Sequence, residues 1–294
     1  MRADILVIGD VMTDVIVRPE GALLLGTDRA ATIRLAPGGS GANQAAWIGR
    51  LGGCVAFAGR VGVADHAQQV ALLRRHGVMP VLAADPDLPT GMLVSILSPD
   101  GERSFLTDRG ANTRLAAADL PQALLDGLRL LHVSGYALFS PGPRAAVLAF
   151  AQAATRRGIP VSLDAASAGF LGEVGAASFL EWTRGVAICF ANADEAATLT
   201  GTDEPDAQRD ALATRYRVAV VKRGRLGADM ASGAQRWHEA APVVTSIDST
   251  GAGDAFLAAF LVAYAAGTPL PACLANGVTK GAEATTFLGG RPAA

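Results

Sequence analysis

Short apolar runs recur along the chain at 5–9 (ILVIG), 55–59 (VAFAG), 130–135 (LLHVSG), 160–164 (PVSLD), 186–192 (VAICFAN) and 218–224 (VAVVKRG). Each is too short for a helix and too evenly apolar for a strand with one wet face, so it reads as a strand buried on both sides. Amphipathic segments of helical length lie between them. That alternation predicts an α/β fold with a mainly parallel central sheet and helices on both faces. Punctuation sharpens two helices. Asp65 can cap one that runs through Arg75 and stops before Gly77, and Pro143 stands at the start of another that ends at Gly158.

Residues 12 to 36 and 90 to 107 follow another rhythm, with apolar and polar positions alternating at a period near two. The second falls in GMLVSILSPDGERSFLTD, a hairpin pattern turned by Pro99, Asp100 and Gly101. Both interrupt the α/β units, so together they are expected to form a small β-sheet that projects as a lid. Lids of this kind expose an apolar face, here Val15, Val17, Ile33, Met92, Val94 and Ile96, which a second copy would cover to give a homodimer. No internal repeat, low-complexity tract or long linker divides the chain, and residues 1–294 are expected to form a single domain with its lid.

Composition narrows the partners. The chain has 294 residues, half of them hydrophobic, which is enough to bury a substantial core. A formal net charge of −2, with Lys and Arg scattered, leaves no basic stripe for nucleic acid and no polybasic patch for a membrane. Small polar molecules are the expected partners. Cys54, Cys189 and Cys273 are odd in number, far apart and without C-x-x-C spacing, which fits reduced core thiols in a cytoplasmic protein. The start MRADILVIGD enters a strand at once, and no run of eighteen apolar residues occurs.

Three glycine- or acid-marked places carry chemistry. In IDSTGAGDAFLAAFLVAY, 247–264, Gly251, Ala252 and Gly253 let backbone N–H groups converge where a helix begins near Asp254, which makes an anion site. The helix that follows is apolar almost all round, hence buried, and holds the loop rigidly. A carboxylate beside an anion site suits a proton acceptor for a hydroxyl attacking a phosphoryl group; the alternative is that Asp254 is a helix N-cap. In APGGSGANQAAWIGRLGG, 36–53, Gly38, Gly39 and Gly41 precede the helix carrying Asn43, which reads as close approach to a ligand or as a turn before an ordinary helix. Asp10 and Asp14 leave the carboxyl end of the first strand, where open α/β sheets bind ligands, or else are exposed loop acids.

Taken together, GGSGANQAA (38–46), NADEA (192–196), VKRGRLGA (221–228) and DSTGAGDAF (248–256) stand in an order and at a separation that resembles the ribokinase-like (PfkB) carbohydrate kinase family. The likeness extends over essentially the whole chain. It implies an ATP-dependent kinase acting on a hydroxymethyl group of a sugar or sugar acid, or on a nucleoside. By this resemblance Asp254 is the base, and Gly251, Ala252 and Gly253 form the anion hole. Asp14, Gly38, Gly39 and Asn43 hold the sugar. Glu195 with Asn192 organises Mg²⁺ through water; Lys222, Gly224, Gly227 and Thr250 line the nucleotide, with Asn276 near the adenine. Asp248, with carbonyls of its own loop and of FLGG, binds a monovalent cation such as K⁺.

Two departures from that family pattern matter. Met12 stands where ribokinases proper carry a second asparagine, and Gly135 stands about where they carry a sugar-contacting glutamate, which argues against d-ribose. Arg103 on the lid, and Arg109 with Asn112 beyond it, would suit an acidic or phosphorylated sugar. Rival classes fit less well. No G-x-G-x-x-G follows ILVIG, and the chain lacks G-x-S-x-G, H-E-x-x-H and a P-loop. An idle binding regulator on the same fold would be expected to have lost Asp254 or its glycines, and both are present.

Overall fold

The computed structural model describes residues 3–23, 26–97 and 103–292. The expected turn at Pro99, Asp100 and Gly101 lies outside the described residues, as does the side chain of Arg103. In chain order the strands are β1 (Ile5–Ile8), β2 (Met12–Pro19), β3 (Ala31–Gly38), β4 (Val55–Gly62), β5 (Met79–Asp85), β6 (Gly91–Leu97), β7 (Arg103–Asp108), β8 (Leu130–Ser134), β9 (Val161–Asp164), β10 (Ile188–Asn192), β11 (Val218–Lys222), β12 (Ala228–Ser232) and β13 (Gln235–Glu239). The helices are α1 (Ser40–Arg50), α2 (His66–Arg74), α3 (Pro141–Arg156), α4 (Ala168–Val174), α5 (Ala176–Trp182), α6 (Ala193–Thr200), α7 (Pro205–Ala213), α8 (Ala252–Ala265) and α9 (Leu270–Ala284).

All six apolar runs are strands of one sheet, ordered β13-β12-β11-β10-β9-β8-β1-β4-β5. From β11 through to β5 every neighbouring pair is parallel, and β12 and β13 close one edge as an antiparallel hairpin. Side chains alternate between two buried layers: Ile5 and Val7 of β1 join the layer under α1, α2, α8 and α9, while Leu6 and Ile8 join the layer under α3 to α7. Both layers are apolar, which is why the strands read as unbroken hydrophobic runs. The chain leaves β1 toward β4 and β5 on one side, then returns to β8 on the other. Ligands of open α/β sheets bind where strand order reverses in this way, at the carboxyl ends of the strands.

Three strands of the main sheet escaped the sequence reading. β5 is only partly buried, and β13 reads QRWHE, mostly exposed at the sheet's edge, so neither shows a continuous apolar run. β12 is buried up to Ser232 but contains Asp229, whose carboxylate takes hydrogen bonds from Arg223 and His238 and is thereby tolerated. Asp65 does stand at the N-cap of α2. Its carboxylate, however, accepts from the Gln69 amide at 3.0 Å and the Thr90 hydroxyl at 2.5 Å rather than from a helix amide. Cys189 and Cys273 are core residues as expected, but Cys54 lies at the surface just before β4. No helix among the described residues is long and apolar enough to cross a membrane.

The two alternating stretches form a separate four-stranded sheet, ordered β3-β2-β6-β7. β2 pairs antiparallel with β3 but parallel with β6, so the lid is mixed. Register places Val15 opposite Leu35 and Val94, Val17 opposite Ile33, and Val94 opposite Leu106, which collects these apolar side chains on one face. Ile33, Leu35, Met92 and Leu106 on it are 45–72% exposed. Asp14 alternates to the opposite face. One sheet thus presents an apolar side outward and a carboxylate inward.

Candidate active site

The segment around Asp254 is folded by its own hydrogen bonds. Asp248 Oδ1 accepts from the N–H and hydroxyl of Thr250 at 2.9 and 2.7 Å, an Asx-type turn, and Oδ2 accepts from Gly289 N–H at 3.1 Å. The turn is thereby tied to the chain's last loop. Gly251 follows as the N-cap of α8 with φ of 76°, and a Cβ there would lie 2.4 Å from Gly290 O, so only glycine fits. Ala252 N–H bonds Ser249 O, and the first i→i−4 bond of α8 is Ala255 N–H to Gly251 O. The first-turn amides of Gly253 and Asp254 precede it. Of the three residues expected to offer N–H groups, Ala252 is thus already engaged, and Gly253 and Asp254 stand at the amide end of α8. Asp254 lies within the first turn of α8, and the N-cap position belongs to Gly251. Its carboxylate instead accepts from Ser40 Oγ at 2.9 Å and Asn43 Nδ2 at 3.4 Å.

On one side of Asp254 a cavity of about 430 Å³ opens. Lys222, Gly224, Gly227, Ser249, Ala252 and Gly253 line its polar end, while Val243, Phe256, Val278 and Ala282 form an apolar wall. A Cβ on Gly253 would stand 3.4 Å from Lys222 Nζ, so the ammonium faces the amide end of α8. Thr250 belongs to the turn just before this end. Asn276 is exposed and is absent from the cavity's lining; two residues before Val278, it falls on the far side of α9.

Strand register sets Asn192 beside Lys222 and brings Asp164 to the same carboxyl edge. Lys222 Nζ donates to Asp164 Oδ1 at 2.9 Å. Asn192 and Glu195 form a reciprocal capping box on α6: Glu195 N–H reaches Asn192 Oδ1 at 2.8 Å, and Glu195 accepts from Asn192 N–H and Nδ2 at 2.7 and 2.8 Å. Glu195 is only 3% exposed, so it is no solvated helix acid. Among the described residues no group of three or more His, Cys, Asp or Glu is arranged to hold a metal. The donors near Glu195 fit a divalent cation that keeps its water and is approached from one side.

On the lid side of Asp254, Arg291, which the sequence motifs did not single out, gathers the expected sugar-binding residues: its Nε donates to Asn43 Oδ1 at 2.9 Å and its Nη2 to Gly38 O at 2.8 Å, and its charge faces Asp14 and Asp254. A Cβ on Gly38 would collide with the Asp14 carboxylate, and one on Gly39 would lie 2.6 Å from Asp10 O. Asp14 Oδ1, Arg291 Nη1 and Arg109 Nη1 are buried without a hydrogen-bond partner. Unmet donors and an unmet acceptor in one region suit a polyhydroxy ligand, which supplies both. Arg109 lies 5.8 Å over the Tyr136 ring. Asn112 departs from expectation, because its amide is already engaged with Val11 N–H and O, Arg109 O and Met12 Sδ. It ties the turn after β7 to the segment between β1 and β2. Asp10 likewise accepts from Ser40 and Gly41 N–H and caps α1. Gly135 could not be a glutamate here: a Cβ would lie 2.5 Å from Asp164 O.

Burial dominates the electrostatics. It pushes Asp254 up to about 7, with Asp164 adding to the rise and Ser40, Lys222 and Asn43 opposing it. Burial also raises Glu195, against the pull of Lys222, and pushes Asp14 up to about 6, against Arg291. For Lys222 burial alone would lower the value, but Asp164 and Glu195 carry it above its ordinary range. The ammonium stays charged, whereas Asp254 is poised to take up or release a proton near neutrality.

The sequence profile of the pfkB family carbohydrate kinases matches residues 2–293. A fructokinase of Klebsiella pneumoniae is 31% identical over 304 residues, covering 98% of this chain and 95% of its own. An aminoimidazole riboside kinase of Salmonella typhimurium is 28% identical, covering 87% and 79%. Among solved structures, an adenosine kinase from Sinorhizobium meliloti superposes with a TM-score of 0.89 at 27% identity, covering 99% of this chain and 96% of that one. Aminoimidazole riboside kinase from Salmonella enterica, complexed with aminoimidazole riboside and an ATP analog, gives 0.81 at 25%, covering 97% and 94%.

The raised value of Asp254 makes a prediction about stability. Its folded pKa of about 7 exceeds its unfolded value of 3.8, so the folded state holds the proton more tightly and stability falls as pH rises between the two. Asp254→Asn removes that fall. Denaturant unfolding is expected to show the variant gaining on the wild type from about pH 5 to about pH 8. An equal difference at both pH values would mean that the carboxyl is not raised.

Proposed function

The chain belongs to the pfkB family of carbohydrate kinases and is an ATP-dependent carbohydrate kinase; we propose that its acceptor is a hydroxymethyl group of a sugar or sugar acid, with Asp254 as the base. One observation carries the reading: Asp254 stands between the cavity beside Lys222 and the Asn43–Arg291–Asp14 cluster at the lid, with Ser40 and Asn43 on its carboxylate. Asp14, Gly38, Gly39, Asn43 and Arg291 orient the sugar. Asp254 takes the hydroxyl proton as the oxygen attacks the γ-phosphoryl group, and the amides of Gly253 and Asp254 with Lys222 hold the developing charge. Lys222, Gly224, Gly227 and Thr250 border the nucleotide. Magnesium, when bound, neutralises phosphate charge, and Glu195 with Asn192 would hold its water shell. The unpartnered guanidinium end of Arg109 favours an acidic sugar within this class. A nucleoside acceptor is the second reading, supported by the likeness to riboside and adenosine kinases.

Two companions of this reading concern an ion and a partner. A monovalent cation, K⁺, held by carbonyls around Asp248, would fix the turn that precedes α8, because Asp248 joins that turn to Gly289. The apolar outer face of the lid would be covered by a second copy in a homodimer. The buried thiols of Cys189 and Cys273, in a chain of this family, support a cytoplasmic site of action.

ADP release over pentoses, hexoses, sugar acids, phosphosugars and nucleosides tests the acceptor, and Asp254→Asn tests the base. The variant is expected to fold and to lose about 10²- to 10⁴-fold in kcat, with ATP binding little changed. A folded variant with near-normal kcat would mean that another group accepts the proton.

Rates in K⁺ are expected to exceed those in Na⁺ or a bulky organic cation. Equal rates in all three would remove the cation from the scheme. Sedimentation at micromolar concentration is expected to show a dimer that Leu35→Glu dissociates, whereas a strict monomer would leave the lid face uncovered.

A further inference from the structure

Beneath Asp254 runs a buried chain of hydrogen bonds that catalysis as described above does not use. Ser40 Oγ, 2.9 Å from Asp254 Oδ1, is itself 2.9 Å from Gln44 Nε2. The same Gln44 nitrogen lies 3.3 Å from Asp164 Oδ2, and Gln44 Oε1 lies 3.0 Å from His132 Nε2. His132 Nδ1 in turn meets Ser162 Oγ at 2.9 Å. Gln44, His132 and Ser162 are all fully buried.

The direction of every bond follows from the ion pair at its side. Asp164 is ionised against Lys222 and can only accept, so the Gln44 atom facing it must be the amide nitrogen. Both hydrogens of that nitrogen are then engaged, one by Asp164 and one by Ser40. Ser40 Oγ already accepts, so its own proton goes to Asp254. Gln44 Oε1 can only accept, so His132 must carry its proton on Nε2, and its bare Nδ1 takes the Ser162 hydroxyl proton. Turning the Gln44 amide over would set oxygen against oxygen at Asp164 and leave Ser40 without a donor.

We propose that Gln44 and His132 are positioning residues for the phosphotransfer: neutral His132 locks the Gln44 amide, and Gln44 holds the base Asp254, through Ser40, and the cation Lys222, through Asp164, in fixed relation. The inference rests on Asp254 being the base. Ser40 and Gln44 come from α1, His132 from β8, Asp164 from β9, Lys222 from β11 and Asp254 from α8. One amide therefore registers the two halves of the site, which arrive on separate elements. Burial first, and Lys222 second, hold His132 down at about 3, which keeps it neutral near pH 7. The charged group facing His132 is Lys222. Those facing Asp254 are Asp164, Lys222 and Arg291, besides the neutral donors Ser40 and Asn43.

Selective ¹⁵N labelling of histidine in the wild-type protein gives the first test, independent of any variant. His132 is expected as the Nε2–H tautomer and without titration between about pH 5 and pH 9; the Nδ1–H tautomer, or a titrating ring, overturns the proposal. The second test is kinetic. His132→Phe and Gln44→Met are each expected to lower kcat about 10- to 100-fold with the KM for ATP little changed. Each is also expected to move the acid limb of the kcat/KM profile upward, since Ser40 no longer holds the carboxylate. His132→Asn, which keeps a donor toward Gln44, is expected to recover part of the loss. In an Asp254→Asn background His132→Phe is expected to add nothing. Near-normal kcat in Asp254→Asn would sink the base itself. A crippled Asp254→Asn with an unmoved acid limb in folded His132→Phe or Gln44→Met would sink only the positioning role.

Discussion

Lys222 and Asp164 meet at 2.9 Å with little solvent around either, and the site is arranged on the terms that this pair imposes. Buried charge is costly unless it is paired and hydrogen-bonded, and here one ammonium lies among three carboxylates, those of Asp164, Glu195 and Asp254. Each carboxylate is kept by a different device. Asp164 takes the ammonium and the Gln44 amide, Glu195 takes the N–H groups of Asn192, and Asp254 takes Ser40 and Asn43. Burial first, and the neighbouring Asp164 carboxylate after it, explain why Asp254 and Glu195 hold protons more tightly than free acids do. The excess of carboxylates over the one ammonium also favours a ligand that brings cations into this region.

Geometry then divides the labour across Asp254. Behind it, the first turn of α8 and Lys222 give a positive end to an otherwise apolar cavity, which suits a phosphate tail on an aromatic base. Before it, toward the lid, Asp14, Arg109 and Arg291 keep buried polar atoms without partners, unmet donors and an unmet acceptor that suit hydroxyls. The two compartments are joined by the last loop of the chain: Gly289 bonds Asp248, Gly290 O receives the Trp47 indole, and Arg291 reaches Asn43 and Gly38. This short segment touches the turn before α8, the start of α1 and the base of the lid. A disturbance there would be felt on both sides of the base.

The lid answers two demands with one pattern. Its period-two alternation puts Asp14 on the face toward Arg291 and aliphatic side chains on the opposite, exposed face. Its base is fixed to the segment between β1 and β2 by Asn112, whose amide grips the backbone of Val11.

What the sequence by itself determined was local. Apolar runs specify strands buried on both faces, alternation specifies the lid, and the glycines around Asp254 specify a helix end that only small residues can form; each reads over a few neighbouring residues. Asp254 and Asn43 stood out for that reason, whereas Lys222 and Glu195 were marked only by the resemblance to the family's motifs. Tertiary structure decided the rest. Arg291 acts on Asn43 across a separation of 248 residues, and Gln44 meets His132 across 88, so nothing near either residue announces the contact. Asn112 and Asn276 had plausible surroundings in sequence, but packing aims one at the backbone of Val11 between β1 and β2 and leaves the other exposed on α9. β13 is a strand only because β12 lies beside it, for its own pattern of exposed polar residues calls for none. Side-chain orientation depends on what packs against an element, and that is set by the whole chain at once.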